Sequence, residues 1–106
     1  MQRTHLGEFE ELVLLIVGAL QEEAYSMSIR TELSKTADRK PSIGALHAAL
    51  NRLEDKGFIS SHEGGATSER GGRRKRFYEI TDAGKEVLRS SYELRSGWYK
   101  LIPGLS

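Results

Sequence analysis

Between Glu8 and Glu23, apolar residues return at the spacing of a helix, with Leu12, Leu15, Ile16, Ala19 and Leu20 at i, i+3 and i+4. Val13, Leu14 and Val17 fall on the other faces, so this first helix is apolar nearly all round and must be covered from two sides. The C-terminal helix of the chain, a partner subunit, or both would supply the second cover. The pattern breaks at Ala24 to Ser26. Ser26 is the expected N-cap of a second helix that runs to about Thr36 and buries Ile29 and Leu33. The polar segment TADRKPS follows. Pro41 pushes Lys40 toward an extended conformation, and the segment reads as a connector able to add a short strand to a hairpin.

Ser42 caps the third predicted helix, in which Ile43, Leu46, Leu50 and Leu53 share one face. The opposite face holds Gly44, Ala45, Ala48, Asn51 and Arg52, with His47 on the flank. Side chains this small serve one of two ends: deep entry into a DNA major groove, about 12 Å wide, or close packing against another helix. Gly57 ends the helix. Phe58 to His62 reads as a strand, Glu63 to Gly72 as a loop with two Gly-Gly pairs, and Arg73 to Ile80 as a second strand. On that strand Arg74, Arg76, Tyr78 and Ile80 share one face, and Arg73, Lys75, Phe77 and Glu79 the other. Thr81 caps a last helix from Asp82 to about Ile102, with one apolar stripe of Val87, Leu88, Leu94, Trp98, Leu101 and Ile102. The predicted fold is mainly α with a small antiparallel β-hairpin. Three helices, a hairpin and a helix are the order of a winged helix-turn-helix over residues 1–81, followed by a C-terminal dimerisation helix, 82–106, packed on the same domain.

Charge sharpens this picture. The net charge is only +1, yet Met1 to Ala24 carries one base against five acids, and Arg70 to Arg76 carries five bases and no acid. A local cationic patch beside paired glycines suits a phosphate backbone better than the total suggests. The acids of the first helical turn, Glu8, Glu10 and Glu11, suit the positive end of the helix dipole. The longest apolar run, Leu12 to Leu20, is well short of the roughly 20 residues a membrane span needs. No membrane association is expected, and the absence of cysteine fits a cytoplasmic protein. The three histidines are scattered, with no HExxH, no phosphate-cradling GxxxxGK[ST] and no Ser/His/Asp spacing that argues catalysis. The chain is therefore read as a non-enzyme without cofactor or metal.

Four linked segments, LGEFEELVLLIVGAL, AYSMSIRTEL, SIGALHAALNRLEDKGFISS and ERGGRRKRFYEITDAGKEVL, together make the chain resemble a PadR-type transcriptional regulator over roughly Leu6 to Leu88, of the compact branch with one terminal helix. The resemblance implies a homodimeric repressor whose two recognition helices enter successive major grooves of a near-palindromic operator. It implies groove or phosphate contacts from Ser42, His47, Asn51 and Arg52, a phosphate contact from Tyr25, and a backbone grip by Arg73, Arg74 and Lys75. Relatives usually carry tyrosine where this chain has His47, and glycine where it has Ser26. Trp98 reads as dimer core or, with Tyr99, as the lining of a cavity between terminal helices for a small, planar aromatic effector. A competing reading is a winged-helix adaptor that sets its basic hairpin on an acidic protein partner.

Overall fold

The computed structural model of the chain describes residues 6–64 and 75–105. Its elements are α1 (Glu8–Leu20), a 3-10 turn (Gln21–Glu23), α2 (Ser26–Ala37), α3 (Ile43–Asp55), β1 (Ile59–Glu63), β2 (Arg76–Ile80) and α4 (Asp82–Tyr99). The order is the predicted one, a winged helix-turn-helix with a C-terminal helix. Among the described residues, no helix is long and apolar enough to cross a membrane.

The inward face of α1 differs from the expected one. Glu10, Val13, Leu14 and Val17 are buried, whereas Leu15 is 46% exposed. An apolar helix has no phase of its own. Here the phase is fixed by a buried acid that finds two bases on α3. Around this face the core gathers Ile29 and Leu33 of α2, Leu46, Ala49, Leu50 and Leu53 of α3, and Ile59 and Tyr78 of the hairpin. Ile43, expected in the core, is 42% exposed at the first turn of α3, and Ala49 takes the inward place.

Each of the three acids in the first turn of α1 grips a different element. Glu8 accepts from Arg39 in the connector after α2. Glu10 accepts from Arg52 and Lys56 at the end of α3. Glu11 accepts from Ser91 (3.1 Å) and Arg95 (3.2 Å) in the middle of α4. The exposed Glu8 pair contributes at most about 1 kcal/mol. Losing Glu10, which is buried, costs more than losing that surface pair, whereas Arg52 is 53% exposed and its loss leaves Glu10 its bond to Lys56.

The connector adds no strand. Arg30 Nε donates to the Pro41 carbonyl (2.8 Å) and Arg39 is turned to Glu8, which draws the segment away from the hairpin. The extra edge comes instead from the end of the 3-10 turn: the Tyr78 N–H donates to the Ala24 carbonyl (2.9 Å), and Tyr25 bridges Phe77 antiparallel. In the hairpin itself Ile59 pairs with Ile80, Ser61 with Tyr78, and Glu63 with Arg76.

Helix α3 closes through Gly57 at φ +82°, a left-handed conformation that favours glycine. The Phe58 N–H reaches back to the Leu53 carbonyl and that of Gly57 to Glu54. Thr81 then joins three elements: its hydroxyl donates to the Gly57 carbonyl (2.7 Å) and accepts from the Gly84 N–H (3.1 Å), and its own N–H donates to Phe58 (3.0 Å). Gly84 packs so tightly here that a Cβ would stand 2.3 Å from the Phe58 carbonyl oxygen. The root of α4 is thus locked to the end of α3. The helix ends at Tyr99, three residues short of the expected Ile102, and its outer half projects from the core. The molecule measures 56 × 33 × 22 Å, with a radius of gyration of 15.7 Å, against about 13 Å for a compact chain of this length.

Candidate nucleic-acid interface

Ser42 starts α3 as predicted, its hydroxyl accepting from the Ala45 N–H at 3.0 Å. With Leu46, Ala49, Leu50 and Leu53 turned inward, Gly44, Ala45, Ala48 and Asn51 are left exposed on the outward side. Among the described residues, nothing lies within 4 Å of where a Gly44 Cβ would stand. Packing against another helix of the same chain is therefore not why these residues are small. Two further residues belong to this surface that sequence reasoning passed over. Ile43 offers an exposed apolar side chain beside Gly44, suited to a thymine methyl. Asp55 lies eleven residues after Gly44, three turns along the same outward line, and puts an acid at the far end of it.

The two flanks of α3 are held differently. On the hairpin side, Glu54 accepts from Ser61 Oγ (2.8 Å), and half-buried His47 lies two turns before it. On the α1 side, Arg52 Nε donates to Glu10 Oε2 (2.5 Å) and Lys56 Nζ to Glu10 Oε1 (2.8 Å). Burial acts to raise the Glu10 pKa. Hydrogen bonds from Lys56 and Arg52, the Lys56 charge and the Gly7 backbone outweigh it and hold the carboxyl below the usual carboxylate value of 4.5. The group is ionised at neutral pH. Because its folded pKa is depressed, the stability it supplies is present above the ordinary value and lost as pH falls through the lowered one.

Tyr25 and Lys75, distant in sequence, are brought together at the loop end of the hairpin. Lys75 Nζ sits 4.2 Å from the centroid of the Tyr25 ring, a cation–π contact. The Tyr25 ring meets Phe77 edge-on at 5.5 Å, and Phe77 in turn stacks with His62 at 6.0 Å. The Phe77 ring fills the space that a Cβ on Gly64 would need. Ser28, whose Oγ accepts from the Tyr25 N–H (3.0 Å) and donates to the Glu23 carbonyl (2.6 Å), fixes the backbone where α2 begins. Arg73 and Arg74 lie outside the described residues. Trp98 and Tyr99 stand on the projecting half of α4, far from α3 in the chain and 65% and 56% exposed. A cavity beside them would need a second copy to close it.

The surface so built has a narrow, small-faced helix flanked by the aromatic and cationic loop end of the hairpin. The sequence matches the model of the transcriptional regulator PadR-like family over residues 13–90. Solved structures share the fold. A PadR family transcription regulator from Clostridium difficile is 23% identical, with 89% of this chain and 96% of that one covered at a TM-score of 0.71. PadR-like regulators from Bacteroides fragilis (28% identity, 88% and 82% covered, TM-score 0.65) and Bacillus cereus (28%, 84% and 84%, 0.65) are similar over the same architecture. No curated protein sequence matches the chain.

Proposed function

The chain belongs to the PadR-like family of transcriptional regulators, and from that premise we propose a homodimeric repressor that binds a near-palindromic operator and is released by a small aromatic effector. Family membership makes it a DNA-binding transcription regulator and not an enzyme. The observation that carries the finer reading is the outward side of α3, where Gly44, Ala45, Ala48 and Asn51 are exposed and none of the described residues approaches a Cβ at Gly44. A helix with such a face fits a major groove about 12 Å wide without lateral clash.

In this reading Asn51 contacts a base edge, and Ser42, His47 and Arg52 contact bases or phosphates around it. Tyr25 with Lys75, and Arg73 with Arg74, hold the phosphate backbone beside the groove. The exposed stripe of Leu94, Trp98, Leu101 and Ile102 meets its copy in a partner, and Trp98 with Tyr99 borders the effector cavity so formed.

Fluorescence anisotropy with DNA from upstream of the gene tests it. Affinity should fall with salt by about 0.9 log unit per log unit of salt for each phosphate contact. Replacing Arg73 and Arg74 with alanine should weaken all sequences alike, whereas Asn51→Ala should cost about 1–3 kcal/mol on the operator and relax its preference. Binding indifferent both to salt and to loss of the two arginines would overturn the reading and favour a protein partner for the hairpin. Tryptophan emission unchanged by a panel of aromatic compounds would remove the effector from it.

A further inference from the structure

Glu10 is a charged side chain only 6% exposed, on a helix that has no place in the DNA surface. Its oxygens are divided. Oε1 goes to Lys56 and Oε2 to Arg52, and among the described residues the Arg52 side chain donates from Nε alone. A carboxylate whose task was to neutralise a guanidinium would take Nε and an Nη together in a two-pronged pair. Here the second prong is given to a lysine, and the Arg52 side chain stays 53% exposed. Among the described residues, Glu10 is shared by two bases. Arg52 also sits four residues after Ala48 and next to Asn51, at the rim of the outward side of α3.

We infer that Glu10 is a positioning residue for DNA binding: it anchors Arg52 by Nε, so that the Nη edge of the guanidinium is held toward the phosphate strand bordering the groove that Asn51 reads. Lys56 makes this possible, because it supplies the charge that Glu10 would otherwise take from Arg52. The gain is pre-organisation. A free arginine loses most of its rotamer entropy when a phosphate is bound, and an anchored one has lost much of it already. The inference rests on the DNA-binding reading and gives Arg52 a phosphate rather than a base.

A double-mutant cycle tests it, with operator affinity measured across a salt series and thermal melting recorded for every variant. Glu10→Ala and Arg52→Ala should each weaken binding by about tenfold, the scale of one charge-assisted contact, and each should lower the salt slope by about 0.9. The double variant should bind no worse than Arg52→Ala alone. Arg52→Lys, which keeps the charge but has no second edge to present, should bind as weakly as Arg52→Ala. Should Glu10→Ala not fold, the salt slope of Arg52→Ala and the failure of lysine to rescue it still decide the matter. An unchanged slope in Arg52→Ala, a full rescue by lysine, or an undiminished effect of Glu10→Ala in the Arg52→Ala background overturns the inference. These failures are distinct from failure of the DNA reading, in which the unaltered protein would show no salt-dependent binding and no dependence on Arg73 and Arg74.

Discussion

The two halves of α4 share one backbone and one apolar stripe, yet they live in different surroundings. In the inner half Gly84 is buried, Val87 and Leu88 pack on the core, and Thr81 fastens the first turn to the end of α3. In the outer half Tyr92, Leu94, Trp98 and Tyr99 are exposed, and the turns beyond add Leu101, Ile102 and Leu105. The inner half is a structural joint and the outer half an unpartnered surface. Amphipathic periodicity reports that a face is apolar; it says nothing about whether the same chain covers it.

The strongest attack on this contrast is on the outer half. Trp98→Glu with Leu101→Glu should abolish association, raising the dimer dissociation constant by at least about 100-fold, since buried aromatic anchors are worth 2 kcal/mol or more each. Sedimentation at several concentrations would show it. The unfolding free energy of the resulting monomer, against a dilute sample of the parent protein, should be almost unchanged; a large loss would mean that the outer half supports the protomer after all. At the inner half, Gly84→Ala forces a methyl group against the Phe58 carbonyl and Ile80. It should cost about 1–3 kcal/mol as an overpacked site, read from denaturant unfolding. The boundary between the halves is the Glu11 tie to Ser91 and Arg95. Glu11→Ala should cost about 1 kcal/mol and speed amide exchange in residues 92–99 while leaving residues 82–88 protected. The gentlest test is Gly97→Ala, where none of the described residues lies within 4 Å of the new methyl group. In the monomeric glutamate background it should add about 0.5–1 kcal/mol to stability through helix propensity.

The same distinction explains what could be read from the chain. Element order, the caps at Ser42, Thr81 and Gly57, and the inward Ile29, Leu33, Leu46, Leu50 and Leu53 all follow from local chemistry, and the structure has them. The phase of α1 was not legible, because with apolar residues on every side the decision falls to Glu10, whose partners lie more than 40 residues away. The first-turn acids, assigned to the helix dipole, turn out to be ties to three other elements for the same reason. Ile43, the first residue of α3, stands ahead of the turns that meet the core and is exposed, while Ala49 is buried. The Tyr25–Lys75 contact needed the hairpin to fold back on the start of α2, which no short-range pattern records. The wing arginines, Arg73 and Arg74, lie outside the described residues, so their part of the site stands on sequence alone.

In the proposed DNA complex, Asp55 sets a limit on how much DNA α3 can read. Its carboxylate closes the outward line that Gly44, Ala48 and Asn51 open, and an acid there repels the phosphates that converge on a groove. The helix must then enter by its N-terminal end, and the usable stretch runs from Ser42 to Asn51, about 13 Å at 1.5 Å per residue. Along B-DNA that length covers about four base pairs at 3.4 Å each. A four-base word recurs about once every few hundred base pairs of random sequence, too often for one subunit to mark a unique promoter. Two such words at a fixed separation would be rare enough, so the apolar end of α4 and the acid at the end of α3 can be seen as two parts of the same addressing scheme.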